Sequence, residues 1–149
     1  MELSHVDEEG NARMVDVGAK PVSRRAAVAG GWVQLKAETI DLIRRNRIKK
    51  GDVLAVARVA GIQGGKRASE LIPLCHNVFL HRVDVDFEIR ADRILITGRA
   101  DCAAQTGVEM EALTAVAVAA LSIYDMCKAV DRDMVIGDIH LVEKTKHEL

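Results

Sequence analysis

The stretch TGVEMEALTAVAVAALSIYDMCKAV, residues Thr106 to Val130, decides the fold of this chain of 149 residues. At 3.6 residues per turn it corresponds to about seven turns of helix. Its middle, from Ala112 to Leu121, is almost wholly small and apolar. Because a helix that is apolar all round is a buried helix, we predict that a sheet covers one face and that another helix or a second subunit covers the rest.

The two ends of this helix carry charged side chains. Glu109 and Glu111 lie in its first turn, where carboxylates meet the positive end of the helix dipole. Asp125 and Lys128 are three residues apart near the other end, so both point to one side of the helix. Such residues are usually dipole partners and a surface ion pair of roughly a few tenths of a kcal/mol. The alternative is a polar cluster in which a lysine beside a carboxylate transfers protons.

Composition indicates a single globular domain over residues 1–149. Hydrophobic residues make up 49% and charged residues 29% of the chain, which is ordinary for a soluble protein. Aromatic residues make up only 3%, so the core must be built from Val, Ile, Leu and Ala. With 21 basic and 22 acidic side chains the net charge is −1. Because no basic stripe with interleaved aromatics is present, nucleic acid is not expected as a partner.

The three cysteines, Cys75, Cys102 and Cys127, lie far apart and lack C-x-x-C spacing. Their pattern argues against a disulfide framework or a zinc site and fits a reducing cytosol. The start MELSHVDEEG has acids where a signal peptide has bases and an apolar run. No uncharged apolar segment of eighteen residues is found. We expect a cytoplasmic protein with no membrane contact and no metal ligands of its own.

The first half of the chain is predicted to contain an extended arm, a strand and three helices. The arm covers residues 1–22, with a turn at Glu9-Gly10-Asn11 and a short strand in MVDV, residues 14–17. The other elements are predicted from the spacing of apolar residues, from helix-capping residues and from glycines and prolines that end helices. They are a strand at Val28 to Lys36, a helix at Glu38 to Arg47, a helix capped by Asp52 and stopped by Gly64-Gly65, and a short helix at Lys66 to Leu71.

The second half contains the clearest hairpin. From Val83 to Ile89 apolar and charged residues alternate strictly, which indicates a half-buried strand. Ala91-Asp92 is the turn, Arg93 to Gly98 starts the return strand, and Met134 to Val142 is a last strand after the long helix. The order of elements predicts an α+β, ferredoxin-like split βαβ fold, an antiparallel sheet with helices on one face and inserted helical turns. Because the other sheet face then lacks a cover, we expect an oligomer.

Three further sequence features could contribute to a binding site. In LIPLCH, Leu71 to His76, a proline fixes the loop before Cys75 and His76. His76 could donate a proton or contact phosphate, or it could be an ordinary loop histidine; a nucleophilic cysteine is less favoured, because adjacent side chains rarely face each other. Lys50 and Lys66 adjoin glycines, which suits an anion site. Together they suggest a small polyanionic ligand, without naming a reaction.

Several of these segments resemble molybdenum cofactor biosynthesis protein C, the family of cyclic pyranopterin monophosphate synthases. The segments that carry the resemblance are MVDV, KGD at 50–52, AGIQ at 60–63, KR at 66–67, LIPLCH, TGVEMEALTA at 106–115 and IYDMCKAV at 123–130. The resemblance implies a ferredoxin-like homohexamer, built as a trimer of dimers. It also implies a lyase that converts 3′,8-cyclo-7,8-dihydro-GTP to cyclic pyranopterin monophosphate with release of pyrophosphate.

The resemblance also implies roles for particular residues. Lys128 would be the general acid or base and Asp125 would hold it. Lys50, Lys66, Arg25 and His76 would bind the triphosphate, with Mg²⁺ as an expected companion of the phosphates. Glu109 and Glu111 would bind donor groups of the guanine-derived ring. The remaining pocket residues would be Leu74, Cys75, Met110 and Lys144.

The chain departs from the family pattern at three places. Asn77-Val78 follows LIPLCH where Pro-Leu is usual, Gln105 replaces a common lysine, and the chain ends LVEKTKHEL without a glycine- and lysine-rich tail. Lys144 matches the family's C-terminal lysine by spacing, although Lys146 could substitute for it. Two alternatives follow: a catalytically inactive nucleotide-binding homologue, which the intact Asp125, Lys128 and His76 argue against, and a structural oligomerisation module, which would need no polar cluster.

Overall fold

The computed structural model describes residues 4–149. Within that range the chain forms four strands and four helices. In chain order they are β1 (Ser23–Gln34), α1 (Ala37–Arg44), α2 (Val53–Lys66), α3 (Ala68–Leu71), β2 (Leu80–Ile89), β3 (Arg93–Ala104), α4 (Glu109–Cys127) and β4 (Val135–Glu148). The order of strands and helices agrees with the sequence prediction.

The four strands form one antiparallel sheet in the order β2-β3-β1-β4. The two central strands, β1 and β3, are not consecutive, so each helical connection crosses from one strand to a non-neighbouring one. This arrangement is the split βαβ topology. The predicted α+β, ferredoxin-like fold is therefore confirmed, and α1 and α3 are the inserted helical turns.

Helix α4 is the centre of the core, as its composition predicts. Its small residues Ala112, Ala115 and Ala119 are completely buried, and α4 packs on β1, β3 and α2. The helix comes so close to β3 that a Cβ atom on Gly98 would lie 2.9 Å from the carbonyl oxygen of Ala112. By length and composition alone α4 could cross a membrane, yet 56% of its most apolar window is buried inside this fold. It is therefore the core helix of the domain.

Several predicted boundaries of strands were wrong. The ends of a strand depend on pairing with strands that are distant in the sequence, which the local residue pattern does not show. Strand β1 begins at Ser23 rather than Val28, since both neighbouring strands pair with it along its whole length. Strand β4 likewise extends beyond Val142, to Glu148, whereas β3 begins at Arg93 as predicted and continues to Ala104. The segment MVDV, residues 14–17, is not a strand. It lies against the loop that carries His76 and makes no strand pairing with the rest of the described chain.

Helix α2 does not stop at Gly64-Gly65, as predicted, but continues to Lys66. These glycines face α4, and a Cβ on Gly65 would lie 3.1 Å from the carbonyl oxygen of Glu111. Glycine costs about 1 kcal/mol of helix propensity relative to alanine. At these positions the absence of a side chain allows α2 and α4 to pack in direct contact. Helix α4 is shorter than the predicted 106–130, and Lys128 is its C-cap.

Candidate active site

The N-terminal end of α4 borders a cavity of about 380 Å³. The loop that follows α3 forms the opposite wall, and it is held in a turn by the bond from the Cys75 amide to the carbonyl of Ile72. Six of the residues singled out by sequence and resemblance line this cavity. They are Leu74, Cys75, His76, Glu109, Met110 and Glu111.

Glu111 is the buried acid of this cavity, with only 4% of its surface exposed. Its Oε1 accepts a weak hydrogen bond from the Cys75 thiol at 3.8 Å, and its Oε2 is buried with no hydrogen-bond partner among the described residues. Burial raises the pKa of Glu111 above its usual range. A buried acceptor without a partner is costly, so a ligand that offers an N–H or O–H group here would relieve that cost.

Cys75 is not poised as a nucleophile. Burial and the neighbouring carboxylate of Glu111 raise the pKa of the Cys75 thiol to about 11, whereas reactive cysteines have lowered pKa values. Its thiol also lies within hydrogen-bonding reach of the His76 carbonyl oxygen, at 3.6 Å, and not of the His76 ring. Sequence adjacency of Cys75 and His76 therefore does not produce a thiolate–imidazole pair.

The His76 ring is held by the N-terminal arm. Its Nε2 is hydrogen-bonded to the carbonyl oxygen of Val15. A second cavity, of about 560 Å³, lies between residues 14–18 of the arm and the loop at Gln105 and Thr106, and His76 lines both cavities. Sequence reasoning did not identify Val15 as a site residue. Val15 contacts His76 through its backbone carbonyl, so the identity of its side chain could not have indicated this role.

A separate cluster lies near the C-terminal end of α4. Asp125 Oδ1 is 2.9 Å from Lys128 Nζ, and Asp125 Oδ2 is 3.2 Å from Lys50 Nζ. Lys50 also donates to the backbone carbonyl of Asp125 at 3.0 Å. The hydrogen bonds to Lys128 and Lys50 lower the pKa of Asp125, and the contact with Asp125 raises the pKa of Lys128. In this state Lys128 is an ammonium ion at neutral pH.

The structure does not bring these two clusters together within one chain. From Glu109 to Asp125 the helix advances 16 residues, which is about 24 Å at 1.5 Å per residue. A proton donor must come within about 3 Å of the atom that it protonates. Lys128 of one chain therefore cannot act on a ring bound beside Glu111 of that same chain.

The remaining predicted cations lie at the Glu109 end. Lys144 Nζ is 3.7 Å from Glu109 Oε1, which favours Lys144 over Lys146 as the counterpart of the family's C-terminal lysine. Arg25 donates to the Gln105 carbonyl at 3.4 Å, while its Nε is buried without a partner among residues 4–149. Lys66 ends α2 beside Gly65, which abuts the Glu111 backbone.

Comparisons with known proteins match nearly the whole chain. The model of the MoaC family matches residues 14–147. A cyclic pyranopterin monophosphate synthase from Thermomicrobium roseum is 59% identical over 145 residues, covering 96% of this chain and 87% of the relative. The synthase from Desulfitobacterium hafniense is 57% identical over 146 residues, covering 97% and 90%. That from Peptoclostridium acidaminophilum is 54% identical over 145 residues, covering 97% and 92%.

Proposed function

The chain belongs to the MoaC family, and we propose that it is a cyclic pyranopterin monophosphate synthase. This lyase converts 3′,8-cyclo-7,8-dihydro-GTP to cyclic pyranopterin monophosphate and pyrophosphate, an early step of molybdenum cofactor biosynthesis. The relatives that carry this name span nearly the full length of the chain. The structural observation that carries the proposal is the cavity at the start of α4, where six of the ten residues assigned to the substrate by resemblance lie together.

The cavity suits a guanine-derived ring. Such a ring presents several N–H donors, and Glu111 offers a buried Oε2 without a partner among the described residues. A site built to bond a donor rejects analogues that lack it, because the buried group is then left unpaired. We therefore assign Glu111 to ring recognition, with Glu109 at the mouth beside Lys144.

The triphosphate is assigned to the cations at the same end, Arg25, Lys66 and Lys144, together with His76. Formation of a cyclic monophosphate requires a substrate hydroxyl to attack the α-phosphorus while the bond to pyrophosphate breaks. Positive charge near the departing oxygens offsets the charge that develops on them. Residues 4–149 gather no group of three or more metal-ligating side chains, so we propose that any Mg²⁺ binds chiefly through the phosphate oxygens.

Lys128 is assigned as the proton donor for ring opening and rebuilding. The pKa of Lys128 is raised by Asp125, so the lysine enters the reaction protonated and can regain a proton after transfer. Lys50 shares Asp125 with it and belongs to this cluster rather than to the cations at the other end. All three side chains are about half exposed in one chain, whereas catalysis of this kind is stronger in a site that excludes water.

We propose that a second copy completes the site. A stripe of α4 runs from the half-buried Met110 and Ala117 to the exposed Leu121 and Asp125, and Leu121 is 59% exposed. Beside it Val56 and Val59 of α2 are also exposed. In a two-fold contact the same patch meets itself. If α4 packs against its own copy it does so antiparallel, which places the Asp125 end of one chain at the Glu109 end of the other.

Other features of the chain bear on the larger assembly and on the cellular compartment. Trimerisation of such dimers into a homohexamer needs a second contact. Exposed Phe79 provides apolar surface for it, together with Val142, which lies beside Gly30 on the sheet face opposite α4. All three cysteines are free, and Cys102 and Cys127 are buried. Free cysteines suit a reducing compartment, which supports the proposal that the enzyme works in the cytoplasm on a small-molecule substrate.

The test is anaerobic turnover of 3′,8-cyclo-7,8-dihydro-GTP by the purified protein with magnesium, following both pyrophosphate and the pterin product. Wild type is expected to release both, and Lys128→Ala is expected to lose activity on the order of a hundredfold, as for removal of a general acid. Lys49→Ala, which removes the neighbouring lysine that the resemblance does not assign to the site, should retain activity. Binding without turnover by wild type would contradict the proposal and indicate an inactive nucleotide-binding homologue.

A further inference from the structure

The segment Met14–Gly18, called the strap here, crosses the outside of the candidate site. It touches two loops that carry site residues. At one point the Val15 carbonyl contacts Nε2 of His76. At another the side-chain amide of Gln105 donates to the Gly18 carbonyl at 3.2 Å. The strap thus connects the loop that holds His76 to the loop that leads into α4.

The contact with Val15 decides which nitrogen of His76 can react. A carbonyl oxygen only accepts hydrogen bonds, so Nε2 must carry a proton whether the ring is neutral or charged. Among residues 4–149, Nδ1 of His76 has no hydrogen-bond partner, so it is the nitrogen available to a substrate.

The strap is held in a defined shape by its own hydrogen bonds and by Gln105. Asp16 accepts from the Gly18 amide at 2.8 Å, and the Lys20 amide donates to the Val17 carbonyl at 3.0 Å. Gln105 in turn is held by Arg25, which donates to the Gln105 carbonyl at 3.4 Å. A strap fixed at Gly18 keeps the Val15 carbonyl in place three residues earlier.

We propose that the strap is a positioning element that fixes the His76 ring with Nε2 protonated and Nδ1 presented to the substrate, and that Gln105 is the side chain that anchors it. The role of His76 towards the substrate rests on the proposed function. The fixed ring orientation is independent of that function, because the contacts with Val15 and Gln105 exist without a substrate. The ring state and the activity can therefore be measured separately.

The test is nuclear magnetic resonance of the full chain with ¹⁵N-labelled histidine, with His76→Gln used to assign the His76 signals. In wild type we expect a proton on Nε2 that exchanges slowly with water, and a change at Nδ1 when pyrophosphate is added. Free imidazole also favours the Nε2–H form, so slow exchange is the informative signal. Gln105→Glu keeps the side-chain shape but removes the donor, and should accelerate that exchange on the order of tenfold.

Kinetics supply the second readout. Gln105→Glu should lower kcat on the order of tenfold through loss of orientation, with a smaller change in KM. Gln105→Lys restores a donor of similar reach and should recover slow exchange and most of kcat, whereas Gln34→Ala, at the exposed end of β1, should change neither. A proton found on Nδ1 rather than Nε2 in wild type, or Nε2 exchange that is unchanged in Gln105→Glu, would overturn the proposal. Slow exchange in a protein without turnover would contradict only the proposed function.

Discussion

Gly61 of α2 packs against the carbonyl oxygen of Ala115 in α4, and a Cβ atom on Gly61 would lie 2.8 Å from that oxygen. The same Cβ would lie 2.9 Å from Val85 on β2. Helix α2 is therefore confined between α4 and the sheet. This close approach sets the position of both ends of α2, and so of Lys50 and Lys66.

Replacing Gly61 with alanine should destabilise the fold. The new methyl group meets a backbone oxygen and a β-branched side chain, and overpacking of this kind costs about 1–3 kcal/mol. Alanine regains up to about 1 kcal/mol of helix propensity, so a net loss of about 1–2 kcal/mol is expected in urea unfolding. Gly30→Ala, whose nearest neighbour would be Val142 at 3.3 Å, is the control and should be close to neutral. Equal stability of both variants would contradict this account of the helix contact.

The glycines of α2 also show where sequence reasoning failed. Gly64-Gly65 predicts a helix end from local propensity, but the structure uses both glycines for contact with α4. The strict alternation from Val83 to Ile89 and the apolar run of α4 predict their elements well. The alternation reflects a strand with one buried face, and the continuous apolar run reflects a helix buried on several sides. The ends of β1 could not be predicted, since they depend on pairing with β3 and β4 on both sides.

The candidate site was only partly predictable. Resemblance assigns Glu111 and Lys128 to one pocket, whereas the helix itself places them at opposite ends of α4. The predicted helix at 106–130 already implied this distance, because Glu111 and Lys128 are 17 residues apart in it. The sequence could not show that the Val15 carbonyl holds His76, because a backbone contact between distant segments has no residue pattern.

Glu111→Gln should stabilise the protein at neutral pH while removing activity. Burial raises the folded-state pKa of Glu111 above its ordinary value of 4.5, so above pH 4.5 the folded protein binds more protons than the unfolded chain. Stability therefore falls as the pH rises from 4.5 through the raised pKa. Thermal unfolding should show the variant more stable than wild type at pH 7.5, with the difference shrinking towards pH 4.5. Glu109→Gln, at the partly exposed mouth, should show no such gain.

Cys75 should react slowly with iodoacetamide. Its pKa is raised from 9.0 to about 11 by burial and by Glu111, and two pKa units correspond to about a hundredfold less thiolate at pH 7.5. The rate, measured by mass spectrometry of the modified peptide, should stay far below that of glutathione and increase with pH beyond 9. Glu111→Gln removes the nearby carboxylate and should increase the rate. Rapid modification of wild type at pH 7.5 would contradict the environment described for this thiol.

Asp131, whose structural role sequence reasoning missed, should be essential for stability. It is 1% exposed and accepts hydrogen bonds from the Lys36 amide at 2.8 Å and the Thr39 hydroxyl at 2.9 Å. Asp131 follows the C-terminal end of α4 and thereby holds the N-terminal end of α1. Asp131→Ala should cost about 3 kcal/mol of unfolding free energy, since each bond to a charged acceptor contributes about 1.5–3 kcal/mol. Thr39→Val removes one bond and should cost less.

Mixed oligomers should recover activity if two copies build each site. Lys128→Ala removes the proton donor at one end of α4, and Glu111→Gln removes the ring contact at the other, so each variant alone should be inactive. In a two-fold dimer of one copy each, one of the two sites combines the intact ends of both chains. Random assortment of equal amounts should then restore about a quarter of wild-type activity, measured after co-expression with two different tags.

The matched control for this complementation mixes Lys128→Ala with Lys50→Ala. Both substitutions lie in the Asp125 cluster, so every site in their mixed dimers keeps a damaged donor end and no activity should return. Recovery by the first pair and not by the second identifies a site assembled from opposite ends of two α4 helices. If neither pair recovers activity although mixed oligomers are isolated, the catalytic groups do not come from two chains in this arrangement. The separation of about 24 Å along α4 would then require the chain itself to rearrange on binding.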